Sequence, residues 1–182
     1  MGGLRIVAGR WSGRRLNVPR GRQLRPSSER VREGWMAALG GHLDSAQVLD
    51  LFAGSGALGL EALSRGAAYT TFVETDARAL ECLRANIELL GASEISAVVP
   101  ASVFAFLSDL GARIFDIALA DPPYGHGTAR NIVQRFRREP FARMLCVEHR
   151  RDEPIDPQSD ANERRYGDTV ISFIRSPDSE EE

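Results

Sequence analysis

From residue 48 onward the chain repeats one pattern: a short apolar run, a turn, then residues at helical spacing. Val48 to Phe52, Thr70 to Val73, Ile95 to Val99 and Phe115 to Ala120 read as four strands. Between them the spacing predicts helices from about Leu58 to Arg65, Ala77 to Leu90 and Val103 to Leu110, closed by Gly66, Gly91 and Gly111. Strands alternating with helices of this length predict right-handed βαβ units and a mostly parallel sheet. The nearly unbroken apolar runs suit strands covered on both faces. After Asp121 the pattern thins. Ala129 to Phe136 reads as a helix and Met144 to Val147 as a fifth strand. Residues 150–163, polar and carrying Pro154 and Pro157, read as an exposed loop. Arg164 to Tyr166 and Thr169 to Ile174 flank Gly167-Asp168 as a terminal antiparallel hairpin. Ahead of all this, residues 4–18 read as a small hairpin punctuated by Gly9 and Gly13. A helix follows, capped by Ser27 or Ser28 and stopped by Gly40-Gly41, with Val31, Trp35 and Leu39 on one face. The expected organisation is an α/β domain at 41–176, a hairpin-and-helix extension at 1–40, and an acidic, disordered tail at 177–182.

Charge sharpens this division. All 23 basic residues are arginine, which excludes lysine Schiff-base chemistry and a P-loop lysine. Residues 1–35 carry nine arginines against Glu29 and Glu33, so a segment of +7 precedes a remainder of −9 in a chain of net charge −2. A basic arm on an acidic body either meets a polyanion or is simply solvated, and charge alone leaves both open. No apolar run approaches the roughly 20 residues of a membrane helix, and Arg5, Arg10, Arg14 and Arg15 interrupt any signal-like start. The expectation is a soluble cytoplasmic monomer. Cys82 and Cys146 are too few for a disulfide framework and read as small apolar residues. His42 and His149 show no metal-ligand spacing, so no metal is expected. His126 reads as an exposed loop residue.

Gly54-Ser55-Gly56-Ala57-Leu58-Gly59 fits G-x-G-x-x-G between a strand and a helix, with Glu74 twenty residues after Gly54 at the next strand's end. That arrangement binds nucleoside cofactors: glycines admit a ligand to the backbone, and the acid accepts from ribose hydroxyls. Asp50 stands four residues before Gly54. A carboxylate there repels a pyrophosphate but attracts a sulfonium and an ammonium, which favours S-adenosylmethionine over NAD; the alternative is that Asp50 simply hydrogen-bonds the loop backbone.

Asp121-Pro122-Pro123-Tyr124 ends the fourth strand, at the sheet edge where open α/β sheets bind ligands. Two prolines remove two backbone donors. The Asp121 carboxylate and the Pro122 carbonyl remain as acceptors, and Tyr124 adds a flat ring. Such a set suits the exocyclic amine of a nucleobase. Its delocalised lone pair is a poor nucleophile until acceptors take its hydrogens and favour a pyramidal nitrogen. A stacked base gains roughly 1–3 kcal/mol, and it must leave its helix or come from a loop to arrive.

With these motifs in hand, the chain resembles the RsmD-type 16S rRNA guanine-N2 methyltransferases. The resemblance rests on residues 50–67 with Asp-Pro-Pro-Tyr, on Arg5 to Leu16, on Arg25-Pro26-Ser27-Ser28-Glu29-Arg30-Val31-Arg32-Glu33, and on Tyr166-Gly167-Asp168-Thr169. It implies a Rossmann-like methyltransferase sheet of five parallel strands plus a terminal hairpin. It also implies S-adenosylmethionine as cofactor and a guanine of 16S rRNA, within a small ribosomal subunit or assembly particle, as substrate. Carried over, Asp50, Gly54 and Gly56 meet the cofactor's methionine part, with Phe52, Ala53 and Ser55 in the same loop. Glu74, beside Thr75, meets the ribose. Ser102 belongs to Ala101-Ser102, which stands where many methyltransferases carry an acid against the adenine. Asp121, Pro122, Pro123 and Tyr124 hold the target amine. Arg5, Arg10, Trp11, Arg14, Arg15, Arg25 and Arg30 face RNA, although Trp11 can equally serve to cover its hairpin. The competing readings are an N6-adenine DNA methyltransferase, a non-catalytic assembly factor that binds RNA and the cofactor, and an NAD oxidoreductase.

Overall fold

In the computed structural model, which describes residues 4–19, 26–110, 115–153, 155 and 162–177, the apolar runs become strands of one sheet. They are β1 (Gln47–Leu51), β2 (Tyr69–Glu74), β3 (Ser96–Pro100), β4 (Phe115–Ala120), β5 (Ala142–Arg150), β6 (Asn162–Tyr166) and β7 (Thr169–Arg175). Their order is β3-β2-β1-β4-β5-β7-β6. The first five are parallel; β7 runs antiparallel between β5 and β6. The helices are α1 (Pro26–Leu39), α2 (Ala57–Ser64), α3 (Ala77–Leu89), α4 (Val103–Asp109) and α5 (Thr128–Arg138). No helix among the described residues is long and apolar enough to cross a membrane.

The period of two in the strands sorts the core into two layers. Val48 of β1, Phe72, Ile117 and Cys146 join Trp35, Leu60, Leu63, Leu83 and Ile87 on the face of α1, α2 and α3. Leu49, Leu51, Ala118, Leu145 and Val147 join Val103, Leu107, Ile132, Val133 and Phe136 on the face of α4 and α5. The sheet is therefore covered on both sides, as its apolar strands demand. The crossovers reverse between β1 and β4, which places a crevice at the C-terminal ends of those two strands.

Element boundaries shift modestly from the sequence expectation. Gly40 and Gly41 do not end structure outright but begin a 3₁₀ turn, Gly40–Leu43. β5 extends to Arg150, three residues past the expected strand, because pairing with β7 continues through Arg150 and Thr169. The turn that follows is latched by buried His149. Its Nδ1 faces the carbonyls of Arg150 and Glu153 at 2.9 and 3.2 Å, so it must carry the proton. Nε2 hydrogen-bonds the Ser172 hydroxyl at 2.9 Å. Cys146 is fully buried, but Cys82 is only partly so. The expected acidic tail lies outside the described residues, except for Pro177.

The N-terminal segment has no core of its own. Leu4, Ile6 and Leu16 of the hairpin, with Trp35, Met36 and Leu39 of α1, lie in the same apolar layer as the β1 and α2 side chains. The hairpin is closed by Ile6 N–H to Arg14 O, Gly13 N–H to Ile6 O and Leu16 N–H to Leu4 O. It is bolted to α2 through Glu61, which is fully buried: Oε2 accepts from Val7 N–H at 2.8 Å and Oε1 from Ala8 N–H at 3.0 Å. Gly9, at φ +82°, sits so close that a Cβ there would lie 1.9 Å from the Ser64 carbonyl oxygen. Only glycine fits both the conformation and the gap.

Candidate active site

The carboxyl edge of the sheet collects acids. Asp50 and Leu51 of β1 pair with Phe72 and Val73 of β2, so β2 presents Glu74 beside the loop that leaves β1. Leu51 also pairs with Ala120, which puts Asp121 at the same level on β1's other flank.

The glycine loop opens with Phe52 in the left-handed region at φ +61°. For a residue with a bulky side chain this conformation costs on the order of 1–3 kcal/mol, and such strain concentrates at ligand clamps. Gly54 N–H donates to Glu74 Oε2 at 2.8 Å, while Glu74 Oε1 accepts from Thr75 N–H and Asp76 N–H at 2.7 and 2.8 Å. Glu74 thus ties the loop to the end of β2. Gly56 caps α2. Gly59 leaves no room for a side chain: a Cβ there would lie 2.4 Å from the Phe72 ring and 2.9 Å from Asp50 Oδ2.

Asp50 is turned under the loop. Its parity places it on the α2 face; it is 1 % exposed, and Oδ2 accepts from Gly59 N–H at 2.8 Å. Oδ1 is buried without a hydrogen-bond partner among the described residues. Burial pushes its pKa up to about 8; the Gly59 bond opposes this, and the charges of Asp121 and Glu74 add to it. At Oδ2 the carboxylate is spent on bracing the loop. Phe52, Ala53, Gly54, Ser55 and Gly56 form the loop that joins β1 to α2. Ser102, expected near the adenine, spends its hydroxyl as the cap of α4, accepting from Ala105 N–H at 3.3 Å.

At the end of β4, Asp121 and Pro123 are exposed, Pro122 is buried and Tyr124 is half-buried. Beside Tyr124 opens a cleft of about 640 Å³, lined by Gly125, Gly127, Arg130, Arg150, Asp152 and Glu153. Its size is in the range of small-molecule sites. Sequence reasoning missed two neighbours. The Tyr124 hydroxyl donates to Glu148 Oε1 at 2.5 Å and lies 3.4 Å from Thr169 Oγ1. Burial first, then the Glu148 bond, pushes the phenol up to about 12, so it stays a neutral donor. The available signal was Glu148's position directly after the apolar run of the fifth strand, where three other strands also carry an acid.

Among the expected RNA-facing residues, Arg5, Arg10, Arg14, Arg15 and Arg30 are exposed, and Arg25 lies outside the described residues. Trp11 packs against the core, and the Arg10 guanidinium covers its ring at 4.2 Å. Arg14 Nη2 donates to the Leu89 carbonyl at the end of α3, at 3.2 Å. The signature helix α1 is held by Arg32, whose Nη2 donates to the Arg5 carbonyl at 2.7 Å.

A family model described as "Conserved hypothetical protein 95" matches residues 4–175. Over 135 residues the chain is 44% identical to ribosomal RNA small subunit methyltransferase D of Escherichia coli (strain K12), covering 72% of this chain and 66% of that relative. The matched segment thus spans just under two thirds of that relative's length. The Haemophilus influenzae protein of the same name is 35% identical over 159 residues, covering 85% of this chain and 82% of its own. A solved structure titled "Putative methyltransferase yhhF from Escherichia coli" superposes with a TM-score of 0.83 at 33% identity, covering 96% of this chain and 99% of that one.

Proposed function

Because the chain belongs to the family of ribosomal RNA small subunit methyltransferase D, we propose that it transfers a methyl group from S-adenosylmethionine to the exocyclic N2 amine of a guanine in 16S rRNA. It does so as a cytoplasmic monomer acting on a small-subunit particle. The observation that carries this reading is the meeting, on adjacent strands, of the Asp121-Pro122-Pro123-Tyr124 turn with the β1 glycine loop and Glu74.

The acidic edge fits a cationic cofactor. Asp121 and Glu74 lie close enough to Asp50 for their charges to hinder its ionisation, and Asp50 keeps one buried oxygen without a partner. When bound, the cofactor supplies an electrophilic methyl group on a positively charged sulfur. Gly54 and Gly56 admit it to the backbone, and Glu74 binds its ribose, exchanging part of its hold on the loop. The Asp121 carboxylate and the Pro122 carbonyl accept the two hydrogens of the guanine amine and localise its lone pair. Tyr124 stacks on the base and keeps it in plane. As the nitrogen gains positive charge, the Asp121 carboxylate stabilises it, and a proton then leaves from the same nitrogen. Arg5, Arg10, Arg15 and Arg30 contribute contacts to the RNA backbone.

The test is to map N2-methylguanine in 16S rRNA by mass spectrometry, in cells with the gene, without it, and carrying Asp121→Ala. One methylated guanine should vanish in both altered strains. An unchanged map would refute the reading.

A further inference from the structure

Four neighbouring strands deliver an acid to one edge: β1 carries Asp50, β2 Glu74, β4 is followed by Asp121, and β5 carries Glu148. The proposed reaction employs Glu74 and Asp121, while Asp50 braces the glycine loop. Glu148 has no role in it so far. Ala120 pairs with Val147, so Asp121 and Glu148 occupy the next positions along adjacent parallel strands. Glu148 is itself held within β5, paired with Ile171 of β7.

Tyr124 lacks such support. Two prolines precede it, and the chain after it turns through Gly125, His126 and Gly127, all left-handed at φ +82°, +61° and +67°. No strand or helix holds its backbone from that side before α5 begins at Thr128. The ring is fixed instead at its far end, where the hydroxyl donates to Glu148 Oε1 at 2.5 Å beside Thr169. A hydroxyl donating to a carboxylate is among the stronger side-chain contacts.

We infer that Glu148 is a positioning residue for methyl transfer: by accepting the Tyr124 hydroxyl, it sets the ring plane on which the target guanine stacks beside Asp121. The inference rests on the guanine reading above. It gives the hydroxyl a function that stacking alone does not require. A phenylalanine at 124 keeps the aromatic face but releases the ring.

The experiment is a double-mutant cycle on the full chain: wild type, Glu148→Ala, Tyr124→Phe and the pair. It measures single-turnover methyl transfer to small-subunit particles from a strain lacking the gene. Each single variant should lose roughly tenfold, the scale of a hydrogen bond to a charged group. Tyr124→Phe should add no further loss on the Glu148→Ala background, because the contact it removes is already gone. Glu148→Gln, which keeps an acceptor oxygen, should recover most of the rate. Cofactor affinity should stay within about twofold throughout, which a general loss of structure would not allow. A Glu148→Ala loss that persists in full on the Tyr124→Phe background, or no loss at all, overturns the inference while leaving the wild-type reaction intact. Wild type that transfers no methyl refutes the guanine reading instead. The hydroxyl–carboxylate coupling is then still read from thermal unfolding of the same four proteins: non-additive shifts support it, and additive shifts refute it.

Discussion

Replacing Glu61 with alanine should unseat the basic hairpin. The side chain is fully buried within α2, yet it serves three donors, Val7 N–H at 2.8 Å, Ala8 N–H at 3.0 Å and Arg65 Nε at 2.8 Å, and its charge lies 3.8 Å from Arg32 Nε. Arg32 is only 5% exposed. Deleting the carboxylate strands two backbone donors, each such bond to a charged group being worth about 1.5–3 kcal/mol. It also removes the negative charge that lies 3.8 Å from buried Arg32. These contributions overlap, since one group makes them all, so about 3–5 kcal/mol in total is the expectation. For a domain near 180 residues that is a drop of roughly 6–20 °C in Tm. Glu61→Gln keeps one acceptor but aims an amide at the remaining donors, and should fall between. The assay is urea unfolding at fixed pH, paired with limited proteolysis of the hairpin. A Glu61→Ala protein within about 1 kcal/mol of wild type and with a protected N-terminus would refute the argument that this carboxylate anchors the segment.

Three further outcomes follow from the site. Asp50 holds a proton in the folded state up to about pH 8, whereas the unfolded chain releases it near pH 4. The folded state binds more protons between those values, so this residue makes stability fall as pH rises through the window. Asp50→Asn should remove that slope in urea midpoints measured across it; an unchanged slope would mean Asp50 titrates normally. Glu74→Ala loses both the loop clamp and the ribose acceptor, and should weaken cofactor binding by about 1.5–3 kcal/mol in calorimetry, roughly 10- to 150-fold; unchanged affinity would sink the ribose assignment. Exposed Arg10, Arg15 and Arg30 changed together to glutamine should leave Tm unaltered but lower rRNA affinity, flattening its salt dependence by up to about 0.7–0.9 per lost phosphate contact; an intact slope would make these arginines mere solvated charge.

The parallel sheet was legible because its strands are short apolar runs separated by helices with glycine stops, and burial on both faces leaves that signature directly. The glycine loop and Glu74 were legible because spacing alone brings them together at adjacent strand ends. Parity was not. A period of two says that Val48 and Asp50 share a face, but not which helices cover it; the Oδ2 bond to Gly59 fits the alternative in which Asp50 hydrogen-bonds the loop backbone. Charge at the N-terminus was silent on packing: nine arginines in residues 1–35 do not reveal that Leu4, Ile6 and Leu16 join the main core. Glu61 and Glu148 were hidden for a common reason: each is a single acid beside an apolar run, and its partners lie 54 and 24 residues away in the chain. A lone carboxylate inside an otherwise apolar helix was the clue available for Glu61.

The most direct test of the central claim is single-turnover methyl transfer by Asp121 variants on small-subunit particles that lack the modification. Asp121→Asn keeps one acceptor oxygen but loses the charge that stabilises the developing cation; Asp121→Ala loses both. The account predicts the order wild type, Asn, Ala, with Ala slower by about 100-fold or more, the scale of a lost electrostatic contact worth roughly 2.7–4 kcal/mol in the transition state. Cofactor affinity should change far less than the rate. An Asp121→Ala protein that methylates the same guanine at near the wild-type rate would contradict the account.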